Sequence, residues 1–265
     1  MQKKVKEVRK PILRGSWHGR DAWKMGGKTC LNLLAVTFLY LVLGLMLSFN
    51  SLFGRIAMGV ILVGLAVLYL YNSGVNLGQA DAAFGEILYQ RQQDGKPITQ
   101  KDHDRSFHPA KGWFAALIGV APYFLIALVF AFCAQRQYYT VGALPSWMSS
   151  ALRQNEVGDA LAYYSANAGL TPMAVLRIVV RAMTLPFMNV GVYLGDEATL
   201  LFERLAPLWV LVAPCGFGAG YMQGENIRAR INTGIVIGDK QKKRRERKER
   251  KRRAEAQART PERLI

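Results

Sequence analysis

Four residues beside two apolar stretches have types and spacing that could do chemistry: Arg177, Arg181, Glu203 and Arg204. Arg177 and Arg181 lie four apart, so their guanidinium groups share one face of a helix. With Arg204 they predict a site for an anion or a lipid headgroup, and Glu203 would balance part of the charge. A charge at mid-membrane costs about 2.5–3.5 kcal/mol even on a lenient scale, so residues of this kind point to function. The competing reading is a set of interfacial anchors, because Glu203 and Arg204 lie near the end of their apolar run.

Other sets have suitable residue types at unsuitable spacing. Asp102-His103-Asp104-Arg105-Ser106-Phe107-His108 carries metal-binding side chains, but His103 and His108 are five apart and share no helical face. No metal site is expected there. Gly216-Phe217-Gly218-Ala219-Gly220 resembles a phosphate-binding loop only in composition. It lies inside an apolar span, with no preceding strand and no lysine following. Asp81 and Glu86 are also five apart and point to different faces. With no nucleophile elbow, kinase-type motif or paired carboxylates, no catalytic residue and no cofactor are expected. An enzyme is unsupported.

The elements that position these residues read as membrane helices. The 265-residue chain is 51% apolar yet carries a formal charge of +17. Its charges collect between apolar blocks, as in a membrane protein, instead of spreading along amphipathic elements. Spans are predicted at about 30–49, 52–71, 113–133 and 199–221, each close to the length that crosses a bilayer core of roughly 30 Å. Asn50-Ser51 is the only turn signal between the first two, which makes them a tight hairpin. Arg55 sits one turn into the second and can snorkel. Helical spacing persists beyond Tyr71 to Gly95-Lys96-Pro97, which predicts an extension of the second helix. The chain from Pro97 to Lys111 reads as a polar loop.

Residues 134–198 read as a large outer segment, with an interfacial turn at Leu144-Pro145-Ser146-Trp147 and a surface helix from Asn155 to Asn167. Thr171-Pro172 is a strong helix start. The apolar run 172–194 is long enough to span, but Pro186 interrupts it. A fifth crossing would put one of the two basic termini outside, so the run is predicted to be interfacial or re-entrant. The three cysteines form no CxxC pair and read as small buried hydrophobes. The first apolar stretch lacks a small-residue cleavage site and is expected to stay in the mature chain.

The fold predicted is therefore an all-α integral membrane protein in the cell membrane, with four transmembrane helices and both termini cytoplasmic. It comprises a basic N-terminal segment over 1–28, a polytopic domain over 29–221 and a basic tail over 222–265. The N-terminal segment has nine bases and two acids, and the tail has fifteen bases and six acids. Trp17 and Trp23 suit a headgroup zone. Small residues recur every four positions at Gly74, Gly78 and Ala82, and again at Gly216, Gly220 and Gly224. These two runs are predicted helix-packing faces that meet at one membrane depth.

The tail holds ten bases within twelve residues: Lys242, Lys243, Arg244, Arg245, Arg247, Lys248, Arg250, Lys251, Arg252 and Arg253. Such a block resists translocation and sets topology. Near a membrane each base adds roughly 1 kcal/mol of attraction to anionic headgroups. A ribosome or RNA contact is the weaker reading, since no aromatic side chains interleave the block. The leading expectation is a non-enzymatic accessory or scaffold subunit, packing with a partner membrane subunit or with its own copies and touching anionic lipid. A small transporter with an anion or headgroup site is the alternative, and a factor that docks ribosome or RNA is the third.

Overall fold

Long apolar runs without a polar break become long helices, and prolines, glycines and capping hydroxyls decide where each one stops. In a computed structural model, residues 8–46, 49, 51–135 and 171–258 are described. They form nine helices and no strand. The predicted interfacial turn at 144–147 and surface helix at 155–167 lie outside the described residues.

α1 spans Arg20–Met46 and α2 spans Leu52–Gln93. α1 thus begins well before the apolar stretch at Cys30, inside the segment predicted to be merely basic and polar. Its first turn is held by Asp104, which accepts from the Arg20 amide and from the Ser16 hydroxyl. α2 opens with Ser51 accepting from the Gly54 amide at 3.2 Å. It runs 42 residues without a break and stops before Gly95, whose φ of +72° only a glycine adopts freely.

The stretch 97–111, expected as a loop, contains α3 over Gln100–Arg105. Thr99 and Asp102 cap it reciprocally, which satisfies two amides that a helix start would otherwise leave open. α4 follows over Pro109–Cys133, with proline at its start and the His108 ring accepting from the Ala110 amide. Lys111 is therefore helical, not a loop residue.

After the undescribed stretch, α5 (Pro172–Met183) and α6 (Leu185–Leu194) meet at a bend of 107°. Pro186 has no amide to give to the Ala182 carbonyl, so one straight helix cannot continue. α7 (Asp196–Arg204) and α8 (Ala206–Met222) are bent by 55°. There Pro207 withholds the amide that would bond the Glu203 carbonyl. The fourth predicted span is thus a broken element, and Glu203 and Arg204 belong to its short first arm. α9 covers Gly224–Ala258 as one helix of 35 residues, so the basic block is helical.

α1, α2 and α4 are long and apolar enough to cross a membrane, and each bent pair adds one more if it acts as a single span. The candidates therefore number 3 to 5. Their outer faces expose large apolar side chains, including Leu34, Phe38, Val60, Leu68, Leu125 and Phe132, which suit a lipid solvent.

The tightest packing joins α2 to α8, then α8 to α4 and α4 to α1. α1 and α2 meet only along a thin seam. Leu62, Ala66 and Leu70 of α2 face Ala213 and Phe217 of α8 and Ala116 and Val120 of α4 in one continuous core. α2 and α8 run parallel at almost backbone contact. A Cβ on Gly74 would lie 2.3 Å from the Phe217 carbonyl oxygen, and one on Gly220 only 2.1 Å from that of Tyr71. A Cβ on Gly216 would lie 2.6 Å from the Val67 carbonyl oxygen, and one on Gly224 2.2 Å from the Gly78 backbone. Ala82 is buried in the same core.

This closeness makes a sharp expectation. Gly220→Ala must push two backbones apart and should cost at least the roughly 1–3 kcal/mol of ordinary overpacking. Gly64→Ala has open space around its Cβ and should be near neutral. Thermal unfolding of both variants in detergent distinguishes them, and equal melting temperatures would refute close packing.

Candidate functional site

Among the described residues, buried charged side chains gather in two places, and the first holds three of the four residues singled out by spacing. α5 presents Arg177 and Arg181 on one face, and α7 brings Glu203 against them. Glu203 is 2% exposed at its side chain, and its Oε1 lies 2.7 Å from Arg181 Nη2 and 3.2 Å from Arg177 Nε. Arg181 Nε also donates to Oε1 at 2.7 Å. The Arg177 Nε contact is an ion pair without hydrogen-bond alignment, so that N–H has no partner among the described residues. Arg177 spends another N–H on the Gln135 carbonyl and lies over the Phe130 ring at 5.7 Å. Arg204 is exposed on α7 and is not part of this cluster. The three together carry one net positive charge, because two guanidinium groups share one carboxylate oxygen.

The second gathering sits at the end of the bundle that carries α3 and the start of α9. Lys111 is fully buried on α4, and its Nζ donates to Asp81 Oδ2 of α2 at 2.8 Å. Asp21 of α1 lies 3.5 Å away, and the Arg105 carbonyl accepts at 3.3 Å. Tyr221 of α8 donates its hydroxyl to the same Asp81 oxygen at 2.6 Å and stacks on Phe107. One carboxylate thus ties α2, α4 and α8 together.

Glu86, one and a half turns further along α2, ties in α9. It accepts from Arg228 Nη2 at 3.1 Å and from Asn232 Nδ2 at 2.6 Å. Asp81 and Glu86 do point to different partners, as their five-residue spacing requires. Each nonetheless lies buried on the small-residue side of α2, beside Gly78, Ala82 and Gly85. The signal that could have found them is an acid set within a ladder of small residues, where a neighbouring helix must arrive. Lys111 beside Gly112, and Arg228 four before Asn232, complete the same pattern from the other side.

The chain segment before α1 is folded onto this end. The Leu13 amide donates to the Gly85 carbonyl at 3.2 Å, and the Gly15 amide donates to that of Phe107 at 3.0 Å. The Ser106 hydroxyl donates to the Leu13 carbonyl. Val8 reaches Thr233 of α9 at 2.8 Å. Of the Asp102–His108 set, Asp102 and Asp104 act as helix caps and His108 caps α4. Among the described residues no group of three or more histidine, cysteine or acidic side chains could hold a metal ion.

Beyond Ile237, every residue of α9 up to Glu255 is exposed, including all ten bases from Lys242 to Arg253. Among the described residues, a small hollow of about 20 Å³ lies among Val36, Tyr40, Tyr123, Trp209 and Ala213. Comparison with protein-family models, with curated proteins and with solved structures finds no match for this chain.

Two predictions follow from these geometries. Removing one member of a buried ion pair strands the other, at a cost of about 3–5 kcal/mol. Lys111→Met should therefore destabilise strongly, and adding Asp81→Asn should restore part of the loss. A double-mutant cycle on thermal unfolding measures this, and simple additivity would show that the pair is not coupled.

The Ser16 hydroxyl beside Asp104 holds its carboxyl below the usual carboxylate range. A lowered folded-state pKa favours the charged form, so the contribution is present at neutral pH and above the ordinary value near 4. It is lost only as pH falls through the depressed value. Protection factors in the first turn of α1, taken against the pH-dependent intrinsic exchange rate, should stay constant from pH 7 to about pH 5, whereas Asp104→Asn should lower them throughout.

Proposed function

We propose that the protein is a non-enzymatic membrane scaffold or accessory subunit that holds a basic helix out from a helical bundle. In this reading it lies in the cell membrane with both termini cytoplasmic. α1, α2, α4 and the α7–α8 arm cross, and the α5–α6 pair is re-entrant. The observation that carries the proposal is α9. It is rooted against α2 through Glu86, Arg228 and Asn232, and it then leaves the bundle with ten exposed bases.

A tail that only set topology would need no such root. A rooted helix suits presentation, and the partner with the right chemistry is a surface of anionic headgroups. At roughly 1 kcal/mol for each base near the surface, a few contacts suffice for firm attachment. The apolar core that α2, α4 and α8 share supports scaffold over transporter, because a transport route needs polar space near the midplane. The Arg177–Arg181–Glu203 cluster, in which one carboxylate is shared by two guanidinium groups, then acts as a clamp between α5 and α7.

A ribosome or RNA contact keeps one point in its favour: α9 begins alongside α2, which directs the block away from the apolar belt. Trypsin susceptibility of the full-length protein in nanodiscs separates the readings. With phosphatidylglycerol present, cleavage between Lys242 and Arg253 should slow at least tenfold relative to phosphatidylcholine, and 0.5 M salt should abolish the protection. Protection that requires added ribosomes or RNA would transfer the proposal to the third reading. A stable monomer that purifies without any partner would count against the accessory role.

A further inference from the structure

The seam between α1 and α2 opens, at the α3 end, into a cleft of about 680 Å³. Arg20, Lys24 and Lys28 line it from α1, at steps of four residues that place all three on one face. Lys101 and Arg105 line it from α3 across the gap. Like charges at this spacing repel one another, so the arrangement is unfavourable until something negative enters.

The acids in the cleft offset only part of that charge. Asp81 and Asp21 both face Lys111. Asp104 and Asp102 accept from the ends of α1 and α3. With Lys111, six bases stand against these four acids, a formal charge of +2. Arg20, Lys24, Lys28 and Lys101 make no ion pair with any described residue, while Arg105 spends itself on the face of Phe84 at 4.7 Å.

The cleft does not end at the bases. Lys28 and Leu77 also line a second hollow of about 360 Å³ that continues between α1 and α2 past Leu31, Asn32 and Asn76. Further along, Asn32 bridges to Ser73 at 3.3 Å and to Tyr69 at 3.4 Å, which closes the seam. The opening therefore has a basic mouth and a side slot that faces the apolar belt of Leu31, Leu34 and Leu65.

We infer that this cleft binds the phosphate of an anionic phospholipid, which enters sideways between α1 and α2. Arg20, Lys24, Lys28 and Lys101 contact the phosphate, Asn32 and Asn76 stand at the glycerol level, and one acyl chain leaves along the slot. A free phosphate or phosphorylated metabolite shares the headgroup chemistry but has no use for the slot. The inference rests on the membrane placement proposed above and does not use the α9 tail.

Hydrogen exchange of α3 reads the cleft locally, in the full-length protein held in nanodiscs. Phosphatidylglycerol should protect the Gln100–Arg105 amides at least threefold relative to phosphatidylcholine alone. The exposed double variant Lys24→Gln/Lys28→Gln should keep the wild-type melting temperature and lose that protection, as should Lys101→Gln in part. Deleting Lys240–Ile265 should leave it intact, which separates this site from the tail. Equal protection in the Lys24/Lys28 variant, or none in the wild type, would overturn the inference. Inorganic phosphate or glycerol 1-phosphate giving the same protection in phosphatidylcholine nanodiscs would overturn the lipid assignment.

Discussion

The near-contact of two parallel backbones, α2 and α8, is the constraint on which the rest depends. Gly74 and Gly78 on α2, with Gly216 and Gly220 on α8 and Gly224 at the start of α9, remove the Cβ atoms that would hold the axes apart. Closeness then sets the chemistry of the end of the bundle. Tyr221 is pressed into the core, where its ring lies against Gly112 of α4 and its hydroxyl meets Asp81. Asp81 in turn is the partner that makes a fully buried Lys111 tolerable, since an unpaired ammonium there would lose its charge or break the packing. The same parallel course delivers α9 beside Glu86. A wider spacing between α2 and α8 would undo all three arrangements.

Part of this is legible in the sequence because helical periodicity and glycine steps are local signals. Gly74, Gly78, Gly216, Gly220 and Gly224 can be read as small faces from their spacing, and the structure sets these runs side by side. Arg177, Arg181 and Glu203 attract attention because charges in apolar runs are rare, and they do assemble. Arg204 is one residue from Glu203 and so leaves on another face of α7. Sequence distance alone cannot select between such neighbours, because the bend at Pro207 decides which face turns inward.

The buried network around Lys111 was less accessible for a physical reason. A lysine in a run such as His-Pro-Ala-Lys-Gly-Trp looks solvated, and nothing local says that α3 and the segment before α1 will cover it. Its burial is a property of five separate stretches arriving together: Asp21, Asp81, Arg105, Lys111 and Tyr221. Capping was readable in type but not in partner. Asp104 serves α1, more than eighty positions earlier in the chain, because the hairpin topology brings the two ends level.

The root of α9 also makes that helix a ruler. Lys242 lies about 15 Å along the axis from Asn232, at 1.5 Å of rise per residue. That exceeds a Debye length of about 8 Å at physiological salt. The charges in the bundle and those in the block therefore do not sense one another electrically, and a partner can neutralise the block without disturbing Glu86 or Asp81. What passes between them is mechanical. A load on the block bears on the contacts of Thr233 with Val8 and of Asn232 with Glu86 before it reaches Arg228, and the helix that carries Glu86, α2, is the one that also forms the wall of the cleft.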